Sequence, residues 1–122
     1  MAFIDADHQH PCPLVDLLQL ARVTRPGRWI VLHDIRLGSV VLEAQRAGQP
    51  LAFPGQYGAE WLFDAWPFRK VAAGNIGAVE LPAKKHKIRP LVKALLRKPF
   101  EIAPQGHRRF EAEIKAALRQ LN

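Results

Sequence analysis

The chain of 122 residues holds a single cysteine, Cys12. An intramolecular disulfide is therefore excluded, and a lone thiol fits a reducing compartment. No apolar run approaches the roughly 20 residues that a membrane-spanning helix needs. The first eight residues already contain Asp5, Asp7 and His8, where a secretory signal would carry a basic start and an apolar core. Cytoplasmic residence is the resulting expectation, with no role at a membrane. Aromatic side chains are also few, at 8%. Beyond residue 82 only Phe100 and Phe110 remain, too little aromatic support to read that segment as a specific nucleic-acid site.

Acidic residues are scarce in the same segment. Residues 83–122 hold eleven Lys/Arg against three Asp/Glu, whereas residues 1–82 hold seven against eight. The net charge of +7 thus belongs to the last third, and any anionic partner concerns that tail. Its run Lys84-Lys85-His86-Lys87 reads first as a solvated segment. The division expected is 1–82 as an α/β unit and 83–122 as a basic helical extension.

What is present is an alternation of elements. Residues 2–5 read as a strand, 13–22 as an amphipathic helix with Pro13 in its first turn, and Trp29–Leu32 as a second strand after the Pro26-Gly27 break. A strand–helix–strand unit of this length predicts two parallel strands joined by a crossover helix. Val40–Ala47 is compatible with a short helix. Gly48, Pro50, Pro54, Gly55 and Gly58 mark a long loop, a common place for a substrate loop. Ala59–Trp66 reads as a helix stopped by Pro67. Phe68–Ala72 and Ile76–Leu81, linked through Gly74-Asn75, predict an antiparallel hairpin. In the tail, Pro90–Arg97 reads as a short helix. Residues 106–121 read as a longer one, with Phe110, Ile114, Ala117, Leu118 and Leu121 on one face.

Both early strands end abruptly in ionisable groups. Phe3-Ile4-Asp5-Ala6-Asp7-His8 and Trp29-Ile30-Val31-Leu32-His33-Asp34 place five such side chains just past the carboxyl ends of apolar runs. Open α/β sheets put their ligands there. Asp5 has two readings, a backbone-capping residue or one facing a cofactor cleft. His33 is open between a hydrogen-bonded structural histidine and a base, and the rim carboxylates between metal ligands and solvated acids. The alternating His8, His10 and Cys12 suggest zinc only weakly, because no second ligand pair follows. Trp61 and Trp66 read as packing residues.

These motifs, with Asp16 on the intervening helix and Arg25-Pro26-Gly27 before the second strand, resemble class I S-adenosylmethionine-dependent methyltransferases. The similar branch carries "IDxDH … PGG … HD". Gly58-Ala59-Glu60-Trp61-Leu62 and Gly74-Asn75-Ile76-Gly77-Ala78-Val79 resemble its next helix and final strand. The resemblance covers roughly residues 2–81. Arg28 departs from the usual second Gly, and Gln9-His10-Pro11-Cys12 from a common Ser-Tyr-Glu stretch.

The resemblance implies a sheet of order 3-2-1-4-5-7-6, of which this chain would supply strands four to seven: an α/β, partial Rossmann-like sheet with a basic helical tail. It implies methyl transfer from S-adenosylmethionine to a small hydroxyl-bearing acceptor. Asp5 would face the cofactor. Asp7 and Asp34 would hold a divalent ion such as magnesium, and His8 or His33 would take the hydroxyl proton. No G-x-G-x-x-G-like loop occurs in these residues, so the chain is expected to be a truncated or split half, inactive alone. A homodimer or companion chain would then pair along the exposed edge of the first strand. The rival expectation is a non-catalytic basic module in which 83–122 binds an anionic partner.

Overall fold

In the computed structural model, residues 1–5, 7–48 and 56–121 are described. The expected long loop falls largely on 49–55, outside the described residues. The protein is α/β, built on a four-stranded mixed sheet. Strand β1 (Ala2–Ile4) leads through helix α1 (Cys12–Val23) to β2 (Trp29–His33). Helices α2 (Leu37–Arg46) and α3 (Gly58–Ala65) precede β3 (Lys70–Ala73) and β4 (Ile76–Glu80). A 3-10 turn over Lys85–Ile88 opens the tail, followed by α4 (Arg89–Leu95) and α5 (His107–Arg119).

The crossover unit is present: β1 and β2 are parallel, with Phe3 opposite Val31. The hairpin is antiparallel, and β4 lies between β2 and β3, giving the order β1-β2-β4-β3. Gly74 has φ 60°, as the first position of a tight two-residue hairpin turn favours. Gly27 has φ 76°, which reverses the chain between α1 and β2.

Alternation along β2 sets the layers. Ile30 and Leu32 are fully buried, whereas Trp29, Val31 and His33 are half-buried. Leu14, Leu17, Leu18 and Ala21 form the buried stripe of α1, spaced as one helix face. Leu62 and Phe63 of α3 join the same core. Gly77 of β4 is required by packing, because a Cβ there would lie 2.6 Å from the Phe63 ring.

The tail belongs to this core as well. Ile88, Leu91, Val92 and Leu95, with Ile114, Ala117 and Leu121, are buried in the one apolar cluster that also contains Ile4 and Leu32. Helix α5 packs on α1, and α4 on α3. The expected apolar stripe of α5 is the buried one, and Arg108, Arg109, Lys115 and Arg119 are exposed.

Helix α2 starts three residues before the expected helix. Glu60, buried in α3, explains its first turn: its carboxylate accepts the Ser39 N–H at 3.1 Å and the Ser39 hydroxyl at 2.7 Å. A carboxylate at a helix start satisfies otherwise unpaired N–H groups. No helix among the described residues is long and apolar enough to cross a membrane.

Candidate functional site

Parallel pairing brings the carboxyl ends of β1 and β2 side by side. Asp5 follows β1 directly, and His8 lies three residues on. His33 is the last residue of β2, and Asp34 follows it. Asp34 has φ 61°, the left-handed region that Asp tolerates better than most residues. The turn this makes places its carboxylate between the two imidazoles. Asp34 Oδ2 lies 2.8 Å from His8 Nε2 and 2.9 Å from His33 Nδ1. Asp5 Oδ1 lies 3.4 Å from His33 Nδ1 and 3.9 Å from His8 Nε2.

The other oxygen of Asp34 is fixed by the hairpin. Asn75 Nδ2 donates to Asp34 Oδ1 at 2.6 Å. Asn75 Oδ1 accepts the Arg36 N–H at 2.7 Å, and its carbonyl accepts the Ile35 N–H at 3.2 Å. One side chain thus ties the end of β2 to the β3–β4 turn. The sequence marked Asn75 only as a turn residue. A Gly-Asn pair signals a hairpin but carries no information about a carboxylate 41 positions earlier.

The contact at His33 Nδ1 is short but bent: no aligned hydrogen bond forms there among the described residues. At 2.9 Å it is still the largest influence on the protonation of the ring. The Asp34 carboxylate against its Nδ1 holds the His33 pKa above the ordinary histidine value; loss of hydration opposes this, and the charges of Asp34 and Asp5 add to it. An imidazole between two carboxylates is stabilised as imidazolium.

Asp5, His8 and Asp34 each offer a donor atom, all within 4.8 Å of one another. Asp7 is placed differently. Its carboxylate accepts the Gln9 N–H at 2.9 Å, a local turn contact. Its charge acts on Cys12, Asp16 and Glu101, raising the pKa of each behind the larger effect of burial. Asp16 is half-buried.

His10 and Cys12 stand apart from the rim. His10 is 1% exposed, its Nε2 is 2.9 Å from the Leu95 carbonyl, and it meets Trp61 and Phe100 edge-on. Burial lowers its pKa, so the neutral ring predominates at neutral pH. The Cys12 thiol is pushed up to about 11 by burial and by Asp7 and Asp16, which leaves little thiolate for nucleophilic chemistry. Trp66 is a core residue, and Trp61 stacks on Tyr57 with centroids 5.2 Å apart.

Fold and rim together define an α/β protein whose two parallel strands deliver two carboxylates and two imidazoles to one place. No family model, curated protein or solved structure matches the chain.

Proposed function

We propose that this chain carries the acceptor-side rim of an S-adenosylmethionine-dependent methyltransferase, acting on a small hydroxyl-bearing acceptor. The observation that carries the reading is Asp34: one of its oxygens contacts both His8 and His33, and Asn75 holds the other. The order β1-β2-β4-β3 agrees with strands 4-5-7-6 of the implied sheet and supports reading the chain as a partial Rossmann-like unit. The sequence motifs of residues 2–81 supply the link to methyl transfer.

In this reading His8 or His33 accepts the acceptor hydroxyl proton, and Asp34 stabilises the imidazolium that forms. The raised pKa of His33 means that its neutral, basic form is reached at higher pH than in an ordinary histidine. Asp34, Asp5 and His8 suit a divalent ion, in which case His33 is left as the base; Asp34 is common to this set and the Asp7–Asp34 pair of the family pattern. An imidazole among carboxylates favours a transition ion such as manganese over magnesium. When bound, such an ion would orient the acceptor hydroxyl and lower its pKa.

Asp5 alone does not enclose an adenosyl group, and the described residues contain no glycine-rich loop that would. In this reading the pocket is completed by a companion chain or second copy along β1, the edge strand of the sheet.

The test is labelled-methyl transfer from S-adenosylmethionine to a panel of phenols, catechols and sugars, using the chain purified with whatever pairs with it. Asp34→Asn should lower transfer by about 100-fold or more. Absence of both transfer and S-adenosylmethionine binding in every such complex would overturn the reading.

A second reading, the basic interaction module, has one observation of its own. Of the eleven Lys/Arg in 83–122, only Arg109 pairs with a carboxylate among the described residues. Polyanion binding by the rest should be indifferent to sequence and fall steeply with salt.

A further inference from the structure

We propose that Glu101, in the segment between α4 and α5, is a positioning residue that holds His8 against Asp34. The proposal rests on the reading of this rim as the functional site.

His8 belongs to no helix or strand. Its placement depends on what grips the β1–α1 connection, and the tail supplies that grip. Glu101 Oε1 accepts the His10 N–H at 2.8 Å and the Tyr57 N–H at 3.0 Å. The Glu101 N–H donates to the His10 carbonyl at 2.7 Å. Beside Tyr57, Gly58 donates its own N–H to the His8 carbonyl at 2.8 Å. A Cβ on Gly58 would sit 2.5 Å from that oxygen, so the approach requires glycine.

One carboxylate oxygen therefore joins two separate stretches of chain. One stretch carries His8, and the other begins α3 and binds the His8 carbonyl. Hydrogen bonds to an ionised acceptor are the strong kind, and Glu101 is only partly exposed, where water replaces a lost partner poorly. Glu101 thus fixes the chain two residues after His8 and, at Tyr57, the residue next to the one that binds the His8 carbonyl. Burial raises the Glu101 pKa, and the two N–H bonds oppose that rise, as expected of a carboxylate kept for its acceptor geometry.

The experiment follows the imidazole nitrogens of the full chain by nitrogen-15 NMR. Asp34→Asn should shift the His8 ring signals, because Asp34 Oδ2 lies 2.8 Å from Nε2. In a Glu101→Ala background the same substitution should shift them less than half as far. Glu101→Gln, whose amide oxygen can accept both N–H groups, should restore the full response. Glu101→Asp, one methylene shorter, should behave like Ala and serves if the Ala variant does not fold. In the unaltered chain the Gly58 amide should exchange slowly with solvent, and fast exchange there would overturn the proposal without any variant. So would an undiminished Asp34→Asn response in folded Glu101→Ala or Glu101→Asp, or a Gln variant that restores nothing. S-adenosylmethionine plays no part in these readouts, so failure of the methyl-transfer reading leaves them unchanged. A missing Asp34→Asn response in the otherwise unaltered chain would remove the rim geometry itself.

Discussion

The two faces of the sheet differ in cover although their strands are the same. On one face Ile30, Leu32 and Val79 are fully buried within the helical layer. On the other, the register aligns Phe3, Val31, Ala78 and Val71 in one row across all four strands. Phe3 is 56% exposed and Val71 60%. Both faces use apolar and β-branched residues, so strand propensity cannot distinguish them. Stability should follow what covers each face, and the rim sits where the open face ends: His33 shares the side of Trp29 and Val31, and its ring lies 6.4 Å from that of Phe3.

The largest expected effect contrasts a covered position on the first face with an exposed one on the second. Leu32→Ala should cost about 2–5 kcal/mol in urea unfolding. Val71→Thr should stay within about 0.5 kcal/mol, as surface substitutions do. Equal costs would break the comparison and mean that the open face is covered in solution. Gly77→Ala comes next. Its Cβ would press on Phe63 at 2.6 Å and on Ile35 at 3.0 Å, for a loss of about 1–3 kcal/mol. Failure to destabilise would mean that the covered face has slack.

A smaller effect lies at the rim and depends on pH. His33 has a folded pKa above its unfolded value. Its stabilising contribution is therefore complete below the ordinary histidine value near 6.5 and is lost as pH rises through the raised folded value. Asp34→Asn should lower the His33 midpoint measured by NMR and flatten stability across that window. An unmoved midpoint would sink the assigned cause. The smallest effect is expected for the exposed Arg109–Glu113 pair on α5, 3.3 Å apart. Glu113→Ala should change stability by no more than about 0.5 kcal/mol, and a larger loss by denaturant titration would show that Glu113 has a further partner.

Much of the architecture was legible because it is locally encoded. The apolar run at 29–32 marked a buried strand, although only Ile30 and Leu32 prove fully buried while Trp29 and Val31 are half-buried, and the 14, 17, 18, 21 spacing marked the core face of α1. Pro26-Gly27 and Gly74-Asn75 marked the turns, and so implied which strands pair. Helix ends shifted by one to three residues where a distant group decides, as Glu60 does for α2. The boundary at residue 82 reflected charge, which follows solvent exposure. Core membership follows apolar spacing, and by that measure α4 and α5 continue the same unit.

The candidate site was legible only in part. An apolar run ending in Asp and His places those groups at a strand's carboxyl end, so Asp5, Asp7, His8, His33 and Asp34 could be gathered from the sequence, although Asp7 turns instead to the Gln9 N–H. His8 and His10 could not be told apart: one turns to Asp34 at 2.8 Å, and the other enters the core to meet the Leu95 carbonyl. Residues in a turn have no periodicity to fix their direction. The sequence by itself determined the strands, the crossover and the gathering of charge at one rim, because burial patterns repeat along a segment. Only the tertiary structure decided that Asn75 would orient Asp34 and that Glu101 would grip the connection carrying His8. Those contacts join residues 41 and 91 positions apart, and a hydrogen bond over such a separation leaves no local pattern because its geometry exists only once the core has packed.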